Sequence, residues 1–82
     1  MNPKSAEPKE STITTVEALG KIVLATRKSQ GLTQADIAGL SHSGNRFIVD
    51  LEKGKPTLQM QKALEVLALL GLELVVRPKS TR

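Results

Sequence analysis

The sequence has no cysteine, tryptophan or tyrosine, one phenylalanine, one histidine and two methionines. Lack of cysteine excludes a disulfide framework and any thiolate metal site, and it fits a reducing cytoplasm. The lone His42 has no second histidine or cysteine to share a metal with. No nucleophile–histidine–acid set and no glycine-rich phosphate loop is present either, so neither an enzyme nor a bound cofactor is expected. A long hydrophobic run is also missing. The most apolar stretch, VLALLGLELVV at 66–76, is broken by Glu73 and falls far short of the ~20 residues that span a bilayer. The polar start lacks the apolar centre of a signal peptide. These absences point to a soluble, cytoplasmic chain with no membrane partner.

What the chain does have is positive charge. Twelve Lys and Arg against eight Asp and Glu give a formal charge of +4, which favours an anionic partner. Within residues 1–14, Lys4 and Lys9 balance Glu7 and Glu10. The surplus therefore belongs to the rest of the chain. At 82 residues there is room for one domain, and a chain this short buries only roughly 60% of the surface its unfolded form exposes. Stability is expected to lean on a partner.

The order of elements follows from periodicity and punctuation. Residues 1–13, with two prolines and little to bury, read as a flexible tail. A first helix is predicted from a capping-box spacing at Thr14 and Glu17, with Leu19, Ile22, Val23 and Thr26 as its inward stripe and Gly31 as its end. Arg27 and Lys28 in the last turn suit the negative end of its dipole. Thr33 and Asp36 form a second box and open a helix of about seven residues, with Ile37 and Leu40 inward and Ala38 small enough for a close crossing. SHSG interrupts it, since Ser and Gly favour caps and turns and His tolerates positive φ. A third helix is predicted from Gly44 to Lys53, burying Phe47, Ile48 and Leu51 and ending at Gly54. Thr57 is read as the cap of a fourth, LQMQKALEVLALL, ended by Gly71. Its apolar residues spread round most of the cylinder, more than one small core covers. Residues 72–77, LELVVR, alternate like a strand and are stopped by Pro78, which leaves 78–82 as a C-terminal tail. An isolated strand is unstable, so pairing with a second copy is the economical reading, through Leu72, Leu74, Val75 and Val76.

Two short helices across a turn of three or four residues form a helix-turn-helix, whose second helix stands away from its support and fits the major groove. At Leu19–Ala38 and Phe47–Thr57 the chain resembles the lambda-repressor-like, Xre-type regulators. The resemblance lies in Gly31-Leu32-Thr33-Gln34, the small Ala38, and Leu51-Glu52-Lys53-Gly54-Lys55. Arg46-Phe47-Ile48, Gly54-Lys55-Pro56-Thr57 and the final strand resemble more narrowly the HipB-type antitoxins. That resemblance implies an all-α bundle of about four helices over residues 14–71, with a C-terminal strand paired across a homodimer. It also implies a repressor of its own operon, a palindromic double-stranded DNA operator, and a HipA-like kinase toxin as partner. Gln34, Gly44, Asn45, Arg46, Val49, Asp50, Lys53 and Lys55 match DNA-facing positions. Asn pairs bidentately with adenine and Arg with guanine, and Val49 suits a thymine methyl. Blander roles stand beside these: a solvated helix start for Gln34, an Arg46–Asp50 pair at i, i+4, and solvated lysines. Arg27 and Glu52 match a structural ion pair. Two residues depart from the family: His42 stands where glycine is usual and Ser43 where a buried valine is, which loosens the turn or shifts it by a residue. A protein-binding adaptor that docks a toxin or regulator, with DNA incidental, is the competing function.

Overall fold

The computed structural model describes residues 10–79. The proposed tail residues 1–9 and 80–82 lie outside them. Four helices follow in order, α1 Val16–Ser29, α2 Gln34–Ser41, α3 Gly44–Lys53 and α4 Met60–Leu69. No strand forms among the described residues. α3 packs on both α1 and α2, and α4 packs on α2. The core is Val23 of α1, Ile37 and Ala38 of α2, Ile48 and Leu51 of α3, and Ala63, Val66, Leu67 and Leu70 from α4 and its end. Leu19, Leu32, Phe47, Leu58 and Leu72 pack around it, partly buried.

The caps decide where each helix begins. α1 starts from Thr15, one residue beyond the expected Thr14, and the Thr15 hydroxyl accepts from Ala18 N at 3.0 Å. Adjacent threonines carry the same capping group, and local sequence does not separate them. In α2 the box is reciprocal: Thr33 N donates to Asp36 Oδ2 at 2.9 Å and Asp36 N donates to Thr33 Oγ1 at 3.0 Å. α4 starts at Met60, not at Leu58, because Leu58 turns onto the core before the helix begins. Thr57 therefore lies in a turn and does not cap, and Gln59 holds the N-cap position without a side-chain bond.

Every helix closes on a residue in the left-handed conformation: Gly31, His42, Gly54 or Gly71. The carbonyls of the last turn are taken by bonds such as Leu32 N to Arg27 O, Ser43 N to Ala38 O, Lys55 N to Asp50 O and Leu72 N to Leu67 O. His42 does this at φ 58° and ψ 28°, in the place of the usual glycine. Gly44, where α3 begins, is left-handed as well, at φ 73°. Ser43 is buried where the family places an apolar side chain, and its hydroxyl meets Ser41 Oγ at 2.6 Å. Ser41 Oγ also lies 2.7 Å from Ile37 O and donates to it.

Leu40 does not face inward. It is 59% exposed, because the inward line of this two-turn helix runs through Ile37, Ala38 and then the half-buried Ser41. Phe47 is only half buried, with the Lys62 ammonium 5.7 Å from its ring centre. On α4, Met60, Leu64 and Leu69 stay exposed, the surplus of apolar surface that its sequence carries.

Candidate nucleic-acid interface

α3 has one face in the core and one in solvent. Ile48 and Leu51 are fully buried, whereas Asn45, Arg46 and Lys53 are exposed and Val49 and Asp50 half exposed along the opposite side. Spacings of one, three and four residues place these five on one stripe of a helix. Gly44 starts the helix at φ 73° and is exposed, with open space where a Cβ would stand. Lys55 follows the cap just beyond the other end, also exposed.

Within the stripe the charges are not independent. Arg46 Nε lies 3.4 Å from Asp50 Oδ1, and Lys55 Nζ lies 3.5 Å from Asp50 Oδ2. The Arg46 side chain is 85% exposed, so this pair contributes little on its own and yields readily to a stronger anion. Together Arg46, Lys53 and Lys55 outnumber Asp50, and the face is net positive.

Behind the stripe lies a buried polar hub. Arg27 donates to Glu52 twice, Nε to Oε2 at 2.6 Å and Nη2 to Oε1 at 3.0 Å, and its Nη1 donates to Leu32 O at 2.9 Å. Gln34 Nε2 donates to the same Glu52 Oε1 at 2.9 Å. Both charged side chains are under a tenth exposed, at 9% and 5%. The bond to Glu52 raises the Arg27 guanidinium further above its ordinary value, outweighing burial. It is therefore charged at every working pH. Among the described residues no buried side-chain donor or acceptor lacks a partner. The hub ties the end of α1, the start of α2 and the last turn of α3 together, which fixes α3 relative to its support.

Close backbone contact completes the seat. A Cβ on Gly20 would come within 2.5 Å of Leu51 O and 2.6 Å of Glu52 O, and one on Gly54 within 2.5 Å of Glu17 Cα. Only glycine allows α1 and α3 to cross this closely, and Gly54 also needs its φ of 79°. The Gly20 crossing and the Gln34–Glu52 bond did not emerge from the sequence reading. A glycine inside an otherwise regular helix was the available signal for the first; nothing local signals the second. Gln34, half buried at the start of α2, has one amide hydrogen engaged by Glu52, which leaves its other amide hydrogen and its oxygen uncommitted.

A second feature lies where the segments before α1 and after α4 come together. Residues 10–15 and 70–79 flank an open groove of about 1630 Å³ floored by Val16, Leu19 and Ile22 of α1 and Met60 and Leu67 of α4. Arg77 Nη1 reaches Glu10 Oε2 at 3.3 Å across it. Leu72, Leu74, Val75 and Val76 lie here, without a ladder of their own. No group of three or more potential ligands suited to a metal ion occurs among the described residues, and none of their helices is long and apolar enough to cross a membrane.

Comparison with known proteins agrees with this geometry. The chain is 51% identical over 59 residues to an uncharacterized HTH-type transcriptional regulator of Sinorhizobium fredii, a match that takes in 72% of this chain and 78% of that protein. No protein-family model matches the chain.

Proposed function

Since the chain belongs to the HTH-type transcriptional regulators, we propose that it is a sequence-specific DNA-binding repressor that works as a homodimer. The observation that carries the reading is the solvent face of α3: Asn45, Arg46 and Val49 in a row, flanked by Lys53 and Lys55, on a helix whose other face is pinned by the Arg27–Glu52–Gln34 hub. In this reading Arg46 takes a guanine, Asn45 an adenine and Val49 a thymine methyl, while Lys53, Lys55 and the Gln34 end of α2 hold phosphates. Gly44 lets the backbone approach the duplex. Asp50 gives up one or both of its cations to the DNA.

The finer role we propose is that of a HipB-like antitoxin which represses its own toxin–antitoxin operon and binds a HipA-like kinase toxin. Arg46-Phe47-Ile48, the Gly54-Lys55-Pro56-Thr57 junction and the alternating segment after α4 support it. Twofold symmetry places two copies of α3 about 34 Å apart, so the operator is a near-palindrome with half-sites ~10 bp apart or a multiple of that. Gel shift against a selected duplex, with unlabelled random DNA as competitor at moderate salt, tests the reading. A band that survives the competitor is expected. Equal displacement by random DNA would leave only the adaptor role.

A further inference from the structure

Apart from Glu52, which belongs to the buried hub, Asp50 is the only acid of α3, and two cations close on it. Arg46 Nε approaches Oδ1 from one turn earlier, at 3.4 Å, and Lys55 Nζ approaches Oδ2 from beyond the cap, at 3.5 Å. The two are not held alike. Lys55 is also tied through the backbone, its N–H donating to Asp50 O at 3.0 Å, whereas the Arg46 side chain stands 85% exposed. An ammonium has three donors, so Lys55 can keep Oδ2 and still hold a phosphate. Arg46 has one direction to choose. Once it turns to a guanine, Oδ1 is left empty in a groove walled by phosphates, and an unpaired carboxylate there is costly.

Resting on the DNA-reading role of α3 proposed above, we infer that Asp50 is a specificity-determining residue: it holds Arg46 back from phosphates and releases it only where a cytosine of a neighbouring base pair offers its amino group to Oδ1 in exchange. The base type follows from donors and acceptors. Guanine and adenine present N7 and thymine presents O4, each an acceptor set against an acceptor-only carboxylate. Cytosine alone presents a donor, N4, and no acceptor on its major-groove edge. The position follows from helix rise. Four residues advance ~6 Å along α3, more than the ~3.4 Å between successive base pairs, so the carboxylate falls beyond the pair that Arg46 reads. On random DNA the exchange fails, because Arg46 can move to a phosphate only by leaving Oδ1 without a donor. One side chain thereby adds a base preference and lowers non-specific binding.

The test is a binding-site selection from random duplexes with the full chain and its Asp50→Ala and Asp50→Asn variants, followed by titration of the selected and of a random duplex across a salt series. The parent should select a cytosine beside the guanine that Arg46→Ala loses. Asp50→Ala should keep the guanine and lose the cytosine, a discrimination of roughly 5- to 150-fold. Asp50→Asn, which offers a donor and an acceptor together, should move that position towards adenine. Both variants free Arg46 from its anion, so both should bind random DNA more tightly and with a salt slope steeper by about one unit. Asp50→Asn keeps the shape of the side chain and carries the test even where the alanine variant melts early. A cytosine preference that persists in both variants, or one that the parent never shows, overturns the role of Asp50, and so does a random-DNA slope unchanged in both. A parent that selects no sequence at all overturns the DNA-reading role of α3 itself.

Discussion

Removal of the Glu52 carboxylate is the sharpest perturbation of the molecule, because three donors converge on it. Arg27 gives two hydrogen bonds and Gln34 one, and the Arg27 side chain is only 9% exposed. Glu52→Ala leaves that guanidinium charged and without its anion, a change that typically costs ~3–5 kcal/mol. At ~0.05–0.15 kcal/mol per residue, 82 residues give a total stability of roughly 4–12 kcal/mol, so the loss is a large share of it. With ~4–8 °C of melting shift per kcal/mol for a domain this size, a fall of at least ~12 °C is expected by calorimetry. Glu52→Gln keeps the shape but loses the charge, and should fall between. The pair as such is worth less than its breakage: Arg27→Met with Glu52→Leu removes both charges together and should recover much of either single loss. An alanine variant melting within ~2 °C of the parent, or a double variant that loses the sum of the two singles, would refute the hub as the element that holds α3.

Further expectations concern separate parts of the fold. Gly20→Ala drives a methyl into the Leu51 and Glu52 carbonyls and should cost ~1–3 kcal/mol in denaturant titrations, although alanine is the better helix former. Arg46→Ala should abolish preference at one base position in a binding-site selection, whereas Lys55→Ala should weaken all sequences alike and flatten the salt slope by about one unit. Bonds from the Thr33 backbone and hydroxyl hold the Asp36 carboxyl below its usual range, so its contribution is present above the unfolded value of ~3.9 and is lost as pH falls through the lower folded value. Asp36→Ala should thus melt lower than the parent at pH 7, with the gap closing below about pH 4. Val75→Pro should reduce light-scattering mass and binding to a full operator without touching a DNA-facing residue, since it removes a ladder donor.

How much was legible in the sequence depended on how local each cause is. The Thr33–Asp36 box and the glycine stops announce themselves within a few residues, and α2 begins and α3 ends where those signals fall. Short apolar stretches misled where helices are only two turns long. At Leu40 a shift of one residue decides between core and solvent, and Ile37 and Ala38 already fill the space. Thr14 against Thr15, and Thr57 against Gln59, show that a capping side chain is a permission and not an address. The Arg27–Glu52 contact, 25 residues apart, carries no local pattern and was named only through family resemblance. Gly20 needed the crossing itself. Excess apolar surface on α4 could be counted from sequence, but which residues carry it, Met60, Leu64 and Leu69, could not.

In the proposed homodimer a rigid seat and a second copy would carry separate tasks. α3 offers one short stripe, and a good bidentate contact discriminates by only ~1–3 kcal/mol. On the proposed reading, one arginine and one asparagine therefore supply ~2–6 kcal/mol, which reaches only the lower part of the ~4–10 kcal/mol that separates specific from non-specific binding in typical regulators. Rigid seating limits what ordering costs on contact, and the crossing at Gly20, the left-handed cap at Gly54 and the Glu52 hub all act to that end. Rigidity does not add contacts, however. Doubling the stripe does, and a second copy joined at fixed spacing makes the second half-site an intramolecular encounter. Stability points the same way. The exposed Met60, Leu64, Leu69 and Val76 are surface that one copy leaves in water, so one pairing event would supply missing burial and missing specificity together. On that reasoning melting temperature and operator affinity should fall in parallel as the protein is diluted through its dimer dissociation constant, and a melting temperature independent of concentration while operator affinity weakens would separate the two and disprove their common origin.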